Sequence, residues 1–144
     1  MVDKQINQII SDFSDIDWNN INSYYNSILK TSRPFYVRYG GVRDSNGEIE
    51  MPYYIENATV FNVRMFLVDK NLNINFDWYR WEDGKSILRS NTSHEFDHLD
   101  AATVVKLFVA VLHNDRFNDG AFARLFESGK AELLLKRFIA LRPL

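Results

Sequence analysis

Between Ala101 and His113 the chain reads AATVVKLFVAVLH. A helix drawn through it is apolar almost all the way round, with Val104, Val105, Leu107, Phe108, Val109, Val111 and Leu112 spread over its faces. Thr103, Lys106, Ala110 and His113 form the one narrow polar stripe. A helix with so little polar surface cannot lie on the outside of a fold, so other elements must enclose it. It is also too short to cross a bilayer, which takes about 18 or more apolar residues. A buried central helix is therefore expected. At 144 residues the chain is long enough to build the enclosure as a single domain, residues 1–144, without disulfides or metal.

The flanking sequence supplies the enclosing elements. Ile6, Ile9, Ile10 and Phe13 recur at helical spacing and predict a first amphipathic helix. Asp15 or Asp17 can cap a second, with an apolar stripe of Trp18, Ile21, Tyr25, Ile28 and Leu29. Ser32-Arg33-Pro34 ends it, because proline disfavours helical backbone in the residue before it. Aromatic and β-branched runs on either side of Asn46-Gly47 predict a β-hairpin over about 35–55, with Pro52 marking an edge strand. Asn57 can cap a helix from Ala58 to about Val68, although its β-branched content also suits a strand. After the central helix, Asn118 is expected to cap Asp119–Ser128, with Gly129 as the C′ residue. A last helix, Lys130–Leu141, would bury Leu134, Leu135, Phe138 and Leu141. The expected class is α+β, mainly helical: helices around a buried central helix at about 101–113, with one small hairpin.

Composition removes several functions. With no cysteine, thiol catalysis, cysteine zinc sites and a disulfide framework are all excluded, which agrees with a reducing cytoplasm. The N-terminal MVDKQINQ lacks the basic-then-apolar pattern of a signal peptide. Charges of both signs are interspersed with a net of −2, so there is no basic stripe to bind nucleic acid. There is no G-x-S-x-G, Gly-rich phosphate loop or dinucleotide fingerprint, and no cofactor is expected.

One stretch does carry a metal motif. Ser93-His94-Glu95-Phe96-Asp97-His98-Leu99-Asp100 contains H-E-x-x-H, which works in zinc hydrolases when a helix aims both histidines at one ion. Here Asn91-Thr92-Ser93 precedes it, a run that favours turns, and Asp97 stands where such helices bury an apolar residue. Ala101 and Val104 occupy the places where a longer zincin motif has Gly and His. The expected role is a polar loop, with Asp97 or Asp100 capping the central helix.

Pro52-Tyr53-Tyr54, then Phe76-Asp77-Trp78 with Trp81, then Asp115-Arg116-Phe117-Asn118-Asp119-Gly120, then Glu127-Ser128-Gly129 follow one another in an order that resembles a bacterial family known only as domain of unknown function 6508. The resemblance runs from the hairpin to Phe138. It implies a mixed, mainly helical fold and a bacterial or phage origin, and it implies no activity. The family's pattern has no H-E-x-x-H at this place.

The candidate binding set draws on these stretches and adds Arg80: Tyr54, Asp77, Trp78, Arg80, Trp81, Asp115, Arg116 and Asp119. Asp115, Arg116 and Asp119 can cap a helix and tie a turn with an Asp–Arg pair, or the Arg beside two carboxylates at a helix N-terminus can hold an anion or a partner's acidic group. Trp78 and Trp81, interleaved with Arg80 and Glu82, can anchor a core or form an interface hot spot. The expectation is a non-catalytic protein that binds another protein, with no membrane and no nucleic acid involved. An inhibitor or immunity-type protein blocking a defence or toxin effector, such as a CRISPR-type nuclease, has this composition. The alternative is a small hydrolase using a metal at His94 and His98 or carboxylates near Asp77 and Asp115.

Overall fold

A computed structural model describes residues 2–32, 34–91 and 93–143. Arg33 and Thr92, which belong to two of the stretches read above as breaks, lie outside the described residues. The elements run α1 (Val2–Ser11), α2 (Asp15–Lys30), β1 (Tyr36–Tyr39), β2 (Tyr53–Glu56), α3 (Ala58–Asp69), α4 (Glu82–Arg89), α5 (Ala101–Asn114), α6 (Ala121–Glu127) and α7 (Lys130–Ala140). Short 3₁₀ turns lie at Trp78–Arg80 and Ser93–Glu95. The fold is α+β and mainly helical.

Helix α5 is the centre that its sequence demands. It packs against α1, α4, α6 and α7, and Ala102, Val104, Val105, Leu107, Phe108, Val109, Ala110 and Leu112 are all buried. Each large side chain removed from water there stabilises the fold by roughly 1.5–3 kcal/mol. Aromatic rings close the core at both ends. Phe13, Trp18 and Phe138 meet on one side, while Phe108, Phe122 and Phe126 meet on the other.

Local hydrogen bonding sets the helix starts. The N-cap of α2 is Ser14, not Asp15 or Asp17: its hydroxyl accepts from Asp17 N–H at 3.3 Å, and Asp17 Oδ2 accepts from Ser14 N–H at 3.0 Å. Asp17 is the third residue of a capping box and not the cap itself. Its other oxygen pairs with Lys70 at 2.5 Å and ties α2 to the end of α3. Burial pushes the Asp17 pKa up, but hydrogen bonds from Lys70 and Ser14 outweigh it and hold the carboxyl below its ordinary range. Asn57 and Asp100 cap α3 and α5 as expected, accepting from Val60 N–H at 3.0 Å and Thr103 N–H at 2.8 Å. For α6 the expected cap is wrong. Asn118 Oδ1 accepts from Arg124 at 2.8 Å, and the helix starts after Gly120, whose φ of 84° only glycine adopts freely. Leu29, placed on the apolar stripe of α2, faces solvent instead.

Helix α4 has no counterpart in the sequence reading. It is only eight residues long and carries Gly84 in its interior, which masks its periodicity. Gly84 is buried because the indole of Trp81 lies on it: a Cβ there would sit 2.2 Å from Trp81 Cε3.

The hairpin is a two-stranded antiparallel sheet with Val37 opposite Ile55 and Tyr39 opposite Tyr53. Strand alternation puts those four side chains on one face, and all four are exposed. Tyr36, Arg38, Tyr54 and Glu56 take the other face. No third strand pairs with either edge among the described residues.

Candidate functional site

Two cavities flank the turn between α5 and α6. The larger, about 540 Å³, is lined by four consecutive residues of β2, Tyr53–Glu56, by Phe61 and Arg64 of α3, and by Asp115, Asp119 and Gly120. Consecutive strand residues point to opposite faces, so a cavity that meets all four runs along the edge of β2. That edge is the open one.

Arg64 organises the floor of the cavity. Its guanidinium donates to both carboxylate oxygens of Glu56, with Nε at 3.1 Å, and to Asp115 Oδ2 at 3.2 Å. The three side chains are 16–24% exposed, so these ion pairs are better shielded than ordinary surface pairs. Asp115 Oδ1 accepts from Phe122 N–H at 3.1 Å, and the Arg64 guanidinium lies 4.9 Å above the Phe122 ring. Burial works to lower the Arg64 pKa, but the hydrogen bond and charge of Glu56 and those of Asp115 outweigh it and raise it above its ordinary value. Asp115 is thus paired with Arg64 on α3, not with its neighbour Arg116 as the turn sequence suggested. Arg116 is exposed.

The smaller cavity, about 240 Å³, lies between the Trp78–Arg80 turn, α4 and α5. Trp78, Trp81, Leu88 and Val111 are among its lining residues. Trp81 packs edge-on to Phe76 with ring centroids 5.8 Å apart, and the Lys106 ammonium sits 4.4 Å from its ring centroid. Lys106 also pairs with Asp3 at 3.2 Å, which draws α1 onto the same corner. Trp78 contacts Tyr79 and Phe117, the latter 81% exposed. Both tryptophans are half-buried, so neither the core nor the free surface describes them.

The candidate set therefore divides. Tyr54, Asp115 and Asp119 share the first cavity, Trp78 and Trp81 share the second, and Asp77, Arg80 and Arg116 line neither. Asp77 precedes the 3₁₀ turn, and the Arg80 guanidinium lies 5.4 Å from the Tyr79 ring. Sequence reasoning missed Glu56, Phe61, Arg64 and Phe117. Asn-capped α3 placed Arg64 on a helix, but nothing in the sequence showed that it would face both a strand end and the α5–α6 turn.

H-E-x-x-H does not lie on a helix. Ser93–Glu95 is a 3₁₀ turn followed by further turns, with His94 and His98 exposed and His94 Nδ1 4.0 Å from Asp97. Among the described residues no three His, Asp or Glu side chains are grouped to hold a metal ion.

These features define a small helical protein enclosing α5, with an open-edged hairpin and two shallow cavities beside one turn. The chain belongs to a family of unknown function, DUF6508, whose model matches residues 13–143. No curated protein and no solved structure matches it. Helix α1 lies outside the family match. The residues that carry the family resemblance have clear structural work: Asp115 holds Arg64 and Phe122, Gly120 starts α6, Glu127 accepts from Phe35 N–H, and Gly129 starts α7. Gly120 is crowded as well. A Cβ would come 2.9 Å from Arg124 Nη1 and 3.6 Å from the Tyr54 ring.

Proposed function

We propose that this chain is a non-catalytic interaction protein that binds another protein through the hairpin and the adjoining α5–α6 turn. The observation that carries this is the outer face of the hairpin. Val37, Tyr39, Tyr53 and Ile55 form an exposed apolar face on a sheet with open edges. Nearer the tip Val42, Ile49 and Met51 are apolar and exposed as well, between 58% and 84%. A monomer gains nothing by leaving so much apolar sheet in water, and such patches mark interaction sites. Trp78, Tyr79 and Phe117 form a second aromatic group on the far side of the turn.

Within that class, an inhibitor or immunity-type protein of bacterial or phage origin, acting in the cytoplasm on a defence or toxin effector such as a CRISPR-type nuclease, accords with the mild acidity and absence of cysteine. No helix among the described residues is long and apolar enough to cross a membrane. Acid–base hydrolysis finds less support, since Glu56 and Asp115 are both tied to Arg64 and Asp77 lies outside their cavity.

The test replaces the apolar face while keeping the hairpin. Val37→Lys with Ile55→Glu exchanges a directly opposed apolar pair for an opposed ion pair, which the sheet tolerates. Immobilised wild type and variant are exposed to lysate of the native host, and retained proteins are read by mass spectrometry. A partner held by wild type and lost by the equally stable variant is the expected result. Equal retention of every protein by both forms would sink the proposal.

A further inference from the structure

We infer that the occupant of the cavity along β2 is an extended protein segment that adds as a third strand and inserts one basic side chain among Glu56, Asp115 and Asp119. This rests on the interaction reading above and names the partner's chemistry. The register fixes which backbone groups are offered. Asn57 N–H donates to Phe35 C=O at 2.8 Å, and Tyr36 faces Glu56 in the ladder. Hydrogen-bonded pairs in an antiparallel ladder alternate, so Val37–Ile55 and Tyr39–Tyr53 bond across β1–β2 while Tyr54 and Glu56 turn their N–H and C=O groups to the open edge. An extended segment can pair with both, the geometry of strand addition.

Charge then selects the side chain. Directly opposed residues share a face, so the partner residue opposite Tyr54 points to the side of Tyr54 and Glu56, where the cavity lies. The described residues lining the cavity include three carboxylates and the Arg64 guanidinium. Beside them the Arg124 guanidinium donates to Asp119 C=O at 2.9 Å and to Asn118 Oδ1 at 2.8 Å, while the Asp119 carboxylate accepts no hydrogen bond from the described residues, so carboxylates still outnumber guanidinium groups. Tyr54 and Phe61 add aromatic faces that favour a cation further. The partner residues on either side of the basic one lie on the outer face beside Tyr53 and Ile55, where apolar side chains fit. The expected partner pattern is apolar–basic–apolar. A second copy of this chain pairing through β2 would bring these carboxylates against their own counterparts, and a nucleic-acid phosphate would meet them too; both are disfavoured.

Selection of short random peptides displayed on phage, using the immobilised full chain and depleting against Asp119→Lys, tests the inference. Enrichment of peptides with one Arg or Lys between apolar residues is expected. Their affinity should fall about tenfold or more on Asp119→Lys and should weaken as salt is raised. On isotope-labelled protein they should shift the amide signals of Tyr54 and Glu56. Enriched peptides that are neutral or acidic, peptides that bind Asp119→Lys equally, failure of any peptide to enrich, or self-association in place of peptide binding would each overturn it. Loss of a host partner on Val37→Lys with Ile55→Glu, together with any of those outcomes, would leave the interaction reading standing and remove only this occupant.

Discussion

Replacing Gly84 by alanine sets two effects of opposite sign against each other. In the interior of α4 the change should favour the helix by about 0.8–1 kcal/mol. The added Cβ, however, would lie 2.2, 2.4 and 2.6 Å from Cε3, Cδ2 and Cζ3 of Trp81, against roughly 3.5–4.0 Å for carbon atoms in contact. The indole has little room to retreat, because Phe76 meets it edge-on at 5.8 Å and Lys106 covers it at 4.4 Å. Overpacking of this kind costs about 1–3 kcal/mol. Sterics should win, so Gly84→Ala alone should destabilise by about 1 kcal/mol. With Trp81→Ala in place the obstruction is gone, and the same change should stabilise by about 1 kcal/mol. The coupling of about 2 kcal/mol is well inside what a double-mutant cycle resolves. Urea unfolding followed by far-UV circular dichroism measures all four proteins without relying on tryptophan fluorescence. An equal effect of Gly84→Ala in both backgrounds would refute the packing of Trp81 on α4.

Phe108, only 3% exposed on α5, should cost about 3–5 kcal/mol when cut to alanine, and a loss under about 1 kcal/mol in denaturant unfolding would mean that α5 is not the centre. Zinc should raise the melting temperature of the wild type no more than that of the His94→Ala, His98→Ala double variant, because the histidines sit on a turn; stoichiometric zinc surviving dialysis only in the wild type would contradict this. His113 Nε2 donates a 2.7 Å hydrogen bond to Asn73 Oδ1, and burial, with Arg116 adding to it, holds its pKa below the ordinary 6.5. The fold thus favours the neutral ring, and the unfolded chain takes up the proton first as pH falls. Stability should be full above 6.5 and should decline as pH drops through 6.5 towards the folded value. His113→Gln should flatten that part of the curve, and an imidazole titrating above 6.5 by NMR would overturn the sign.

Much of the architecture could be read because single segments encode it. The all-round apolar pattern of 101–113 can only be buried, and Asn57, Asp100 and Gly129 act within a few residues of where they stand. The errors arise where a side chain had two uses. Asn118 could cap α6 by its type, but Arg124 claims its carbonyl, and Asp17 reads as a cap until Ser14 and Lys70 are seen sharing it. Asp115 illustrates the deeper limit. Its sequence neighbour Arg116 is the obvious partner, whereas Arg64 arrives from 51 positions away because α3 packs beside α6. Tertiary proximity of that kind leaves no periodic trace, so the Glu56–Arg64–Asp115 cluster and the cavity above it were not visible in the chain.

The joint between α6 and α7 is only Ser128 and Gly129, with Gly129 at a φ of 85° and Ser128 Oγ accepting from Lys130 N–H at 3.3 Å. It has no slack. One inserted residue, absorbed as an extra helical step, would turn α7 by about 100° and carry Leu134, Leu135 and Phe138 off the core. The hairpin tip around Asn46 has no such constraint, since residues 41–50 are all exposed. The molecule thus divides into a part with a fixed length and a part with a free one. Insertions and deletions can accumulate at the hairpin tip, while the joint between α6 and α7 must keep its residue count.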